Sequence, residues 1–142
     1  MNSKMFNTSN NALHVALLIV RIGFGIIFML HGWPKITGGV DTWSGIGGAM
    51  AVTGLDFAPA FWGFMASLAE FGGGLLLVFG FLTRPAAALM LITMLVAILM
   101  HSAQGDGLTT ILHPLKGLVV FIALLYSGAG KYSLDRRFAR KR

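Results

Sequence analysis

Four long apolar stretches, separated by short polar connections, constrain this chain more than anything else in it. They run over residues 13–33, 57–81, 85–101 and 114–128. A helix crosses a bilayer with about 20 apolar residues. Inside the hydrocarbon every backbone amide and carbonyl needs a partner, which a helix supplies from within itself. The alternation of a half-buried strand is absent. The expected fold is therefore all-α, an integral membrane four-helix bundle in one domain spanning residues 1–142. The composition agrees: 56% of residues are hydrophobic and only 11% charged, against about a quarter charged in soluble domains. With no cysteine, disulfides and thiolate metal sites on this chain are excluded.

The connections fit that reading. "FLTRP" at 81–85 is short enough to force an antiparallel hairpin, with Thr83 as the expected N-cap and Pro85 in the first turn. The Gly-rich stretch after Lys35 is longer. Asp41 or Thr42 is the expected cap of a short helix there, with Trp43, Ile46 and Met50 on one face, lying in the membrane interface. The first segment does not read as a cleaved signal peptide: it is long, a charge interrupts it, and no small-residue cleavage site follows.

Basic residues set the expected orientation. Lys4, Arg84 and the tail at 131–142 fall on one side, Lys35 and Lys116 on the other. Six of the eleven basic residues lie after Gly130, so the net charge of +6 reflects topology and contact with anionic lipid rather than nucleic acid. Both termini are expected in the cytoplasm.

Two charges interrupt the apolar stretches. Arg21 lies about eight residues, roughly 12 Å, from the inner end of the first segment; Glu70 lies about eleven residues, roughly 16 Å, from the inner end of the second. A charge at a helix centre costs about 2.5–3.5 kcal/mol on insertion scales. Arg21 shares a face with Gly25, Phe28 and Gly32, and Glu70 with Gly63, Ser67 and Gly74. Small residues of this kind let membrane helices approach. The expectation is a buried Arg21–Glu70 ion pair, either fixing helix register or bordering a polar cavity.

A second group gathers at the opposite end: His31, Lys35, His101, His113 and Lys116. It reads as interfacial anchoring or as a site for a quinone head group or small polar substrate. His31 and His101 are expected to approach one another. No metal site is expected, because close ligand spacing is missing. Neither a nucleotide-binding motif nor a local nucleophile context is present. Any redox chemistry must take its electrons from a bound small molecule, such as a quinone, or from a partner.

The blocks "RIGFGIIFMLHGWPK", "EFGGGLLLVFGFLTRP" and "GAGKYSLDRR" together resemble the DoxX family of small bacterial and archaeal membrane proteins, over residues 13–137. The resemblance implies a four-helix bundle in the bacterial inner membrane. It places the family's polar positions at Arg21, His31, Gly32, Lys35, Glu70, Gly73, Thr83, Arg84, Ser133 and Asp135. The family is named after a subunit of a thiosulfate:quinone oxidoreductase, but fold alone carries no activity. Two functional expectations stand side by side. One is a membrane subunit of a quinone-linked oxidoreductase, as a homo-oligomer or with a redox partner subunit. The other is a non-enzymatic carrier of a small molecule or a scaffold for such a partner.

Overall fold

The computed structural model describes residues 10–140; Lys4, Lys141 and Arg142 lie outside them. Four helices are long and apolar enough to cross a membrane: α1 (Asn10–Thr37), α3 (Pro59–Phe79), α4 (Thr83–Ala103) and α5 (Leu108–Ser127). Two short helices complete the fold, α2 (Gly39–Gly47), which runs on into a 3-10 segment Gly48–Thr53, and α6 (Leu134–Ala139) in the tail. No strand occurs among the described residues. The all-α membrane bundle holds.

Three helices outrun their expected bounds: α4 by two residues at each end, and α1 and α5 further, each across a proline. Pro34 lies inside α1 and Pro114 inside α5, where proline had marked a boundary. Proline lacks the amide that bonds the carbonyl four residues back. Membrane helices tolerate this where neighbouring groups re-satisfy the freed carbonyl.

α1 packs along α3, and α4 along α5. The α1–α3 seam is backbone on backbone. A Cβ on Gly25 would stand 2.8 Å from the Gly74 carbonyl oxygen, and one on Gly32 would stand 2.5 Å from the Phe71 nitrogen. Opposite this seam, Leu77, Ala86, Ala87, Met90, Met94, Phe121 and Leu124 form the core. Phe24 and Phe28 of α1 set their rings edge-on to Phe121, closing the bundle. Outward-facing Ile19, Ile26, Leu30, Leu99 and Val119 present the apolar surface that lipid requires.

α2 is capped by Gly38 rather than by Asp41 or Thr42. It is pressed onto the first turns of α3. Gly47 meets Pro59 and Gly63 meets Trp43, each without room for a Cβ, and the rings of Trp43 and Phe64 lie 4.9 Å apart. As α2 advances from Trp43 to Gly47, its contacts step back along α3 from Gly63 to Pro59. The two helices are therefore antiparallel, and α2 carries on the course of α1 after the break at Gly38–Gly39.

The α3–α4 turn uses Gly80 and Leu82, both with positive φ (64° and 48°). The N-cap of α4 is Leu82, not Thr83. Its capping acceptor comes from far along the chain: Asp135 takes the amides of Leu82 and Thr83 at 2.8 and 3.0 Å.

Candidate functional site

Arg21 and Glu70 are both buried (2% and 5% exposed), and their glycine-lined faces do meet. The two charges do not pair. Arg21 turns to the end that carries the α3–α4 turn and the tail, here the basic end. It donates from Nη1 to the Ala129 carbonyl and from Nη2 to the Tyr132 carbonyl at 2.6 Å. Gly80 lies against the same guanidinium, so close that a Cβ would stand 2.5 Å from Nη1. A cation there faces the C-terminal ends of both α3 and α5, whose unpaired carbonyls carry partial negative charge.

Glu70 pairs instead with Lys35, whose Nζ reaches both carboxylate oxygens at 2.8 and 2.6 Å. Two facts explain the exchange of partners. First, α1 is displaced toward the basic end, so Arg21 lies level with Gly80 rather than a third of the way into the bundle. Second, side chains lean toward the N-terminus of their own helix. In antiparallel helices this tilts Arg21 and Glu70 apart and tilts Glu70 and Lys35 together. Lys35 continues the stripe of Arg21, Gly25, Phe28 and Gly32 at helical spacing. That spacing was visible in the sequence, and with the tilt rule it pointed to Lys35.

Glu70 stands near the middle of α3, about 15 Å from Gly80 at 1.5 Å per residue. The ion pair is therefore at mid-depth, not at an outer interface. The Glu70 side chain is 7% exposed and that of Lys35 34%. The exposed part of Lys35 faces a cavity.

That cavity measures about 830 Å³. α3 and α4 touch tightly where Gly73 meets Met90. Beyond that point the cavity lies between them, and the 3-10 segment that follows α2 reaches across to α4. Met65, Ala69, Ile92 and Val96 give it apolar walls. Lys35, Glu70, Thr93, His101 and Gln104 are its polar lining. His101 holds Asp106 through Nδ1 at 2.6 Å, so Nε2 is the nitrogen left for the cavity. Trp62 lines it as well, and its buried Nε1 has no hydrogen-bond partner.

Of the five residues expected to gather, Lys35 and His101 line this cavity; His31, His113 and Lys116 do not. His31 is exposed, its ring 6.4 Å from Phe28. His113 and Lys116 are exposed on α5, a helix with no residue in the cavity lining. Sequence reasoning had no hold on Trp62, Thr93 or Gln104, because the splaying of α3 from α4 brings them in. No group of three His, Asp or Glu side chains suited to a metal occurs among the described residues.

The arrangement is an apolar chamber with a fixed charge pair at mid-depth and an imidazole–carboxylate pair toward its other end. A lysine ammonium has three donors; Glu70 takes two, leaving one for an acceptor in the chamber.

Comparison with known proteins places the chain. The DoxX family model matches residues 16–103. The inner membrane protein YqjF of Escherichia coli is 37% identical over 131 residues, covering 89% of this chain and 95% of that protein. The inner membrane protein YphA of Escherichia coli is 31% identical over 145 residues, covering 96% and 100%. A protein of Bacillus subtilis named putative oxidoreductase CatD is 30% identical over 90 residues, covering 63% and 62%. No solved structure matches.

Proposed function

The chain belongs to the DoxX family of integral inner-membrane proteins, and from that premise we propose that it is the membrane subunit of a quinone-linked oxidoreductase, holding a quinone head group in the chamber between α3 and α4. The observation that carries this is the Lys35–Glu70 pair lining an apolar cavity at mid-depth. A buried intramembrane charge pair that faces a cavity marks a functional site by default. The residues fit a quinone: apolar walls for the ring and chain, the spare Lys35 proton for a carbonyl oxygen, and the imidazole of His101 further along. When bound, the quinone supplies the electron-carrying chemistry that no side chain here offers. Lys35 would orient the carbonyl, Glu70 holds the Lys35 ammonium in place through both carboxylate oxygens, and the apolar walls would enclose the ring. Electrons come from a partner subunit. The putative oxidoreductase named among the relatives supports a redox setting.

A second reading rests on a different observation. The membrane path of α1 is broken at Gly38–Gly39 and resumed by α2, close to the mid-depth charge pair. Carriers use broken helices beside midplane sites. Solvent extraction of protein purified from native membranes, followed by mass spectrometry, separates the two. A quinone retained at close to one per chain, and lost on Lys35→Met, supports the oxidoreductase subunit. A folded protein without quinone, whose proteoliposomes transport a small molecule, supports the carrier.

The proposed orientation sets the basic end in the cytoplasm. Reporters fused after Arg142 and within residues 103–107 should then report the cytoplasmic and opposite compartments respectively. The reverse result overturns the orientation, and a shared compartment overturns the four-span topology.

A further inference from the structure

We propose that the cleft in the tail at the basic end is a binding site for the phosphate headgroup of an anionic phospholipid. This is independent of the quinone reading. The cleft is open, about 1170 Å³, and is lined by Lys131, Tyr132, Leu134, Arg136, Arg137 and Arg140 among others. It is built by the tail fold. Ser133 caps α6, its Oγ accepting the Arg136 amide at 3.2 Å. The single turn and a half of α6 then sets Arg136 and Arg140 four residues apart on one face, with Arg137 beside them.

What singles out these arginines is that their charge is uncommitted. Asp135, the carboxylate of this segment, is spent on the amides of Leu82 and Thr83. Arg84 donates to the Tyr126 carbonyl at 3.2 Å, and Arg21 is enclosed by the loop at 129–132. The guanidinium groups of Arg136, Arg137 and Arg140 hold no hydrogen-bond or ion-pair partner among the described residues. Three planar forks of donors on one cleft match the oxygens of a phosphate.

The surroundings favour a lipid over a soluble phosphate. Tyr132 and Phe138 are 45% and 56% exposed beside the cleft, and Phe138 lies against Phe81 in the α3–α4 turn, ring centres 5.9 Å apart. Aromatic side chains at the end of the spans sit at headgroup level. They offer an acyl chain an apolar surface on the same segment as the arginines.

The experiment titrates protein purified in a neutral detergent with phosphatidylglycerol, phosphatidylcholine or inorganic phosphate. Binding is read by native mass spectrometry and by the shift in melting temperature. Phosphatidylglycerol should bind with a discrete stoichiometry and raise the melting temperature; the other two should do neither. Arg136→Gln/Arg140→Gln should weaken phosphatidylglycerol binding roughly fivefold for each arginine removed. Arg84→Gln/Lys116→Gln, which removes the same charge elsewhere, should leave it within twofold. Equal binding of phosphatidylcholine, equal protection by inorganic phosphate, or equal losses in the two double variants would overturn the site. Should the first variant misfold, the single exposed change Arg137→Gln gives the same comparison against Arg84→Gln.

Discussion

The two buried charges of this bundle are handled in opposite ways. Arg21 is closed in at the basic end, where two backbone carbonyls and the ends of two helices consume its charge. Glu70 is closed on one side only; its partner Lys35 keeps a donor turned toward an open chamber. One charge fastens the polypeptide to itself and the other is available to something else. Burial alone does not mark a functional charge in a membrane. What marks it is whether an unused donor faces open space: Arg21 Nε has no partner among the described residues, but it is sealed inside the protein, whereas Lys35 opens onto the chamber.

The sharpest way to break this contrast is to remove Arg21. Arg21→Met strands the carbonyls of Ala129 and Tyr132 and should destabilise the protein by about 3 kcal/mol, for two charge-assisted hydrogen bonds. Thermal unfolding in detergent reads this. Adding Glu70→Gln should bring no rescue: the two losses should add to within about 0.5 kcal/mol, since the groups share no partner. A strong rescue would restore the Arg21–Glu70 pair.

Next in size is the other pair. Lys35→Met alone leaves an uncompensated buried carboxylate, and Glu70→Gln alone a poorly solvated ammonium. Each should lower melting temperature, and the double variant should be more stable than the sum predicts by at least about 1 kcal/mol. Full additivity would mean that the 2.6 Å contact carries no energy. The double variant should also stay folded while losing its ligand, whereas no variant of Arg21 should lose ligand without losing fold.

Smaller again is Asp135→Asn, which weakens the cap of α4 and should cost about 1 kcal/mol, with retained ligand unchanged. Smallest are His31→Gln and His113→Gln. Both residues are exposed and away from the chamber, so stability should move by less than about 0.5 kcal/mol and bound quinone should not change. A loss of quinone in either would redraw the chamber's boundary.

Hydropathy made the spans legible, because lipid imposes one requirement on every residue of a crossing helix. The packing faces were legible too: Arg21, Gly25 and Gly32 on α1, and Gly63, Ser67, Glu70 and Gly74 on α3, are all buried. Depth was not. Counting inward from the first apolar residue put Arg21 beside Glu70, yet nothing in Leu13 tells how far α1 slides along α3. That offset is fixed by glycine contacts such as Gly32 on Phe71 and by the tail returning to Arg21. Both depend on residues far apart in sequence. The chamber was hidden for the same reason. It exists because α3 and α4 meet at Gly73 and Met90 and then part, which no single segment records. His101 and Lys35 were found by residue type, but their company was not.

The hold of the tail on Arg21 has a consequence for how the protein is made. The carbonyls that receive its guanidinium lie 108 and 111 residues further along the chain. At about 5–20 residues per second of synthesis, Arg21 is made roughly 5–20 s before its acceptors exist. During that interval the first helix must lean on lipid headgroups or on the insertion machinery. Release of the last segment is then the event that closes the bundle. A chain truncated before Ala129 would keep four spans but leave its first helix unfastened, a natural substrate for membrane quality control.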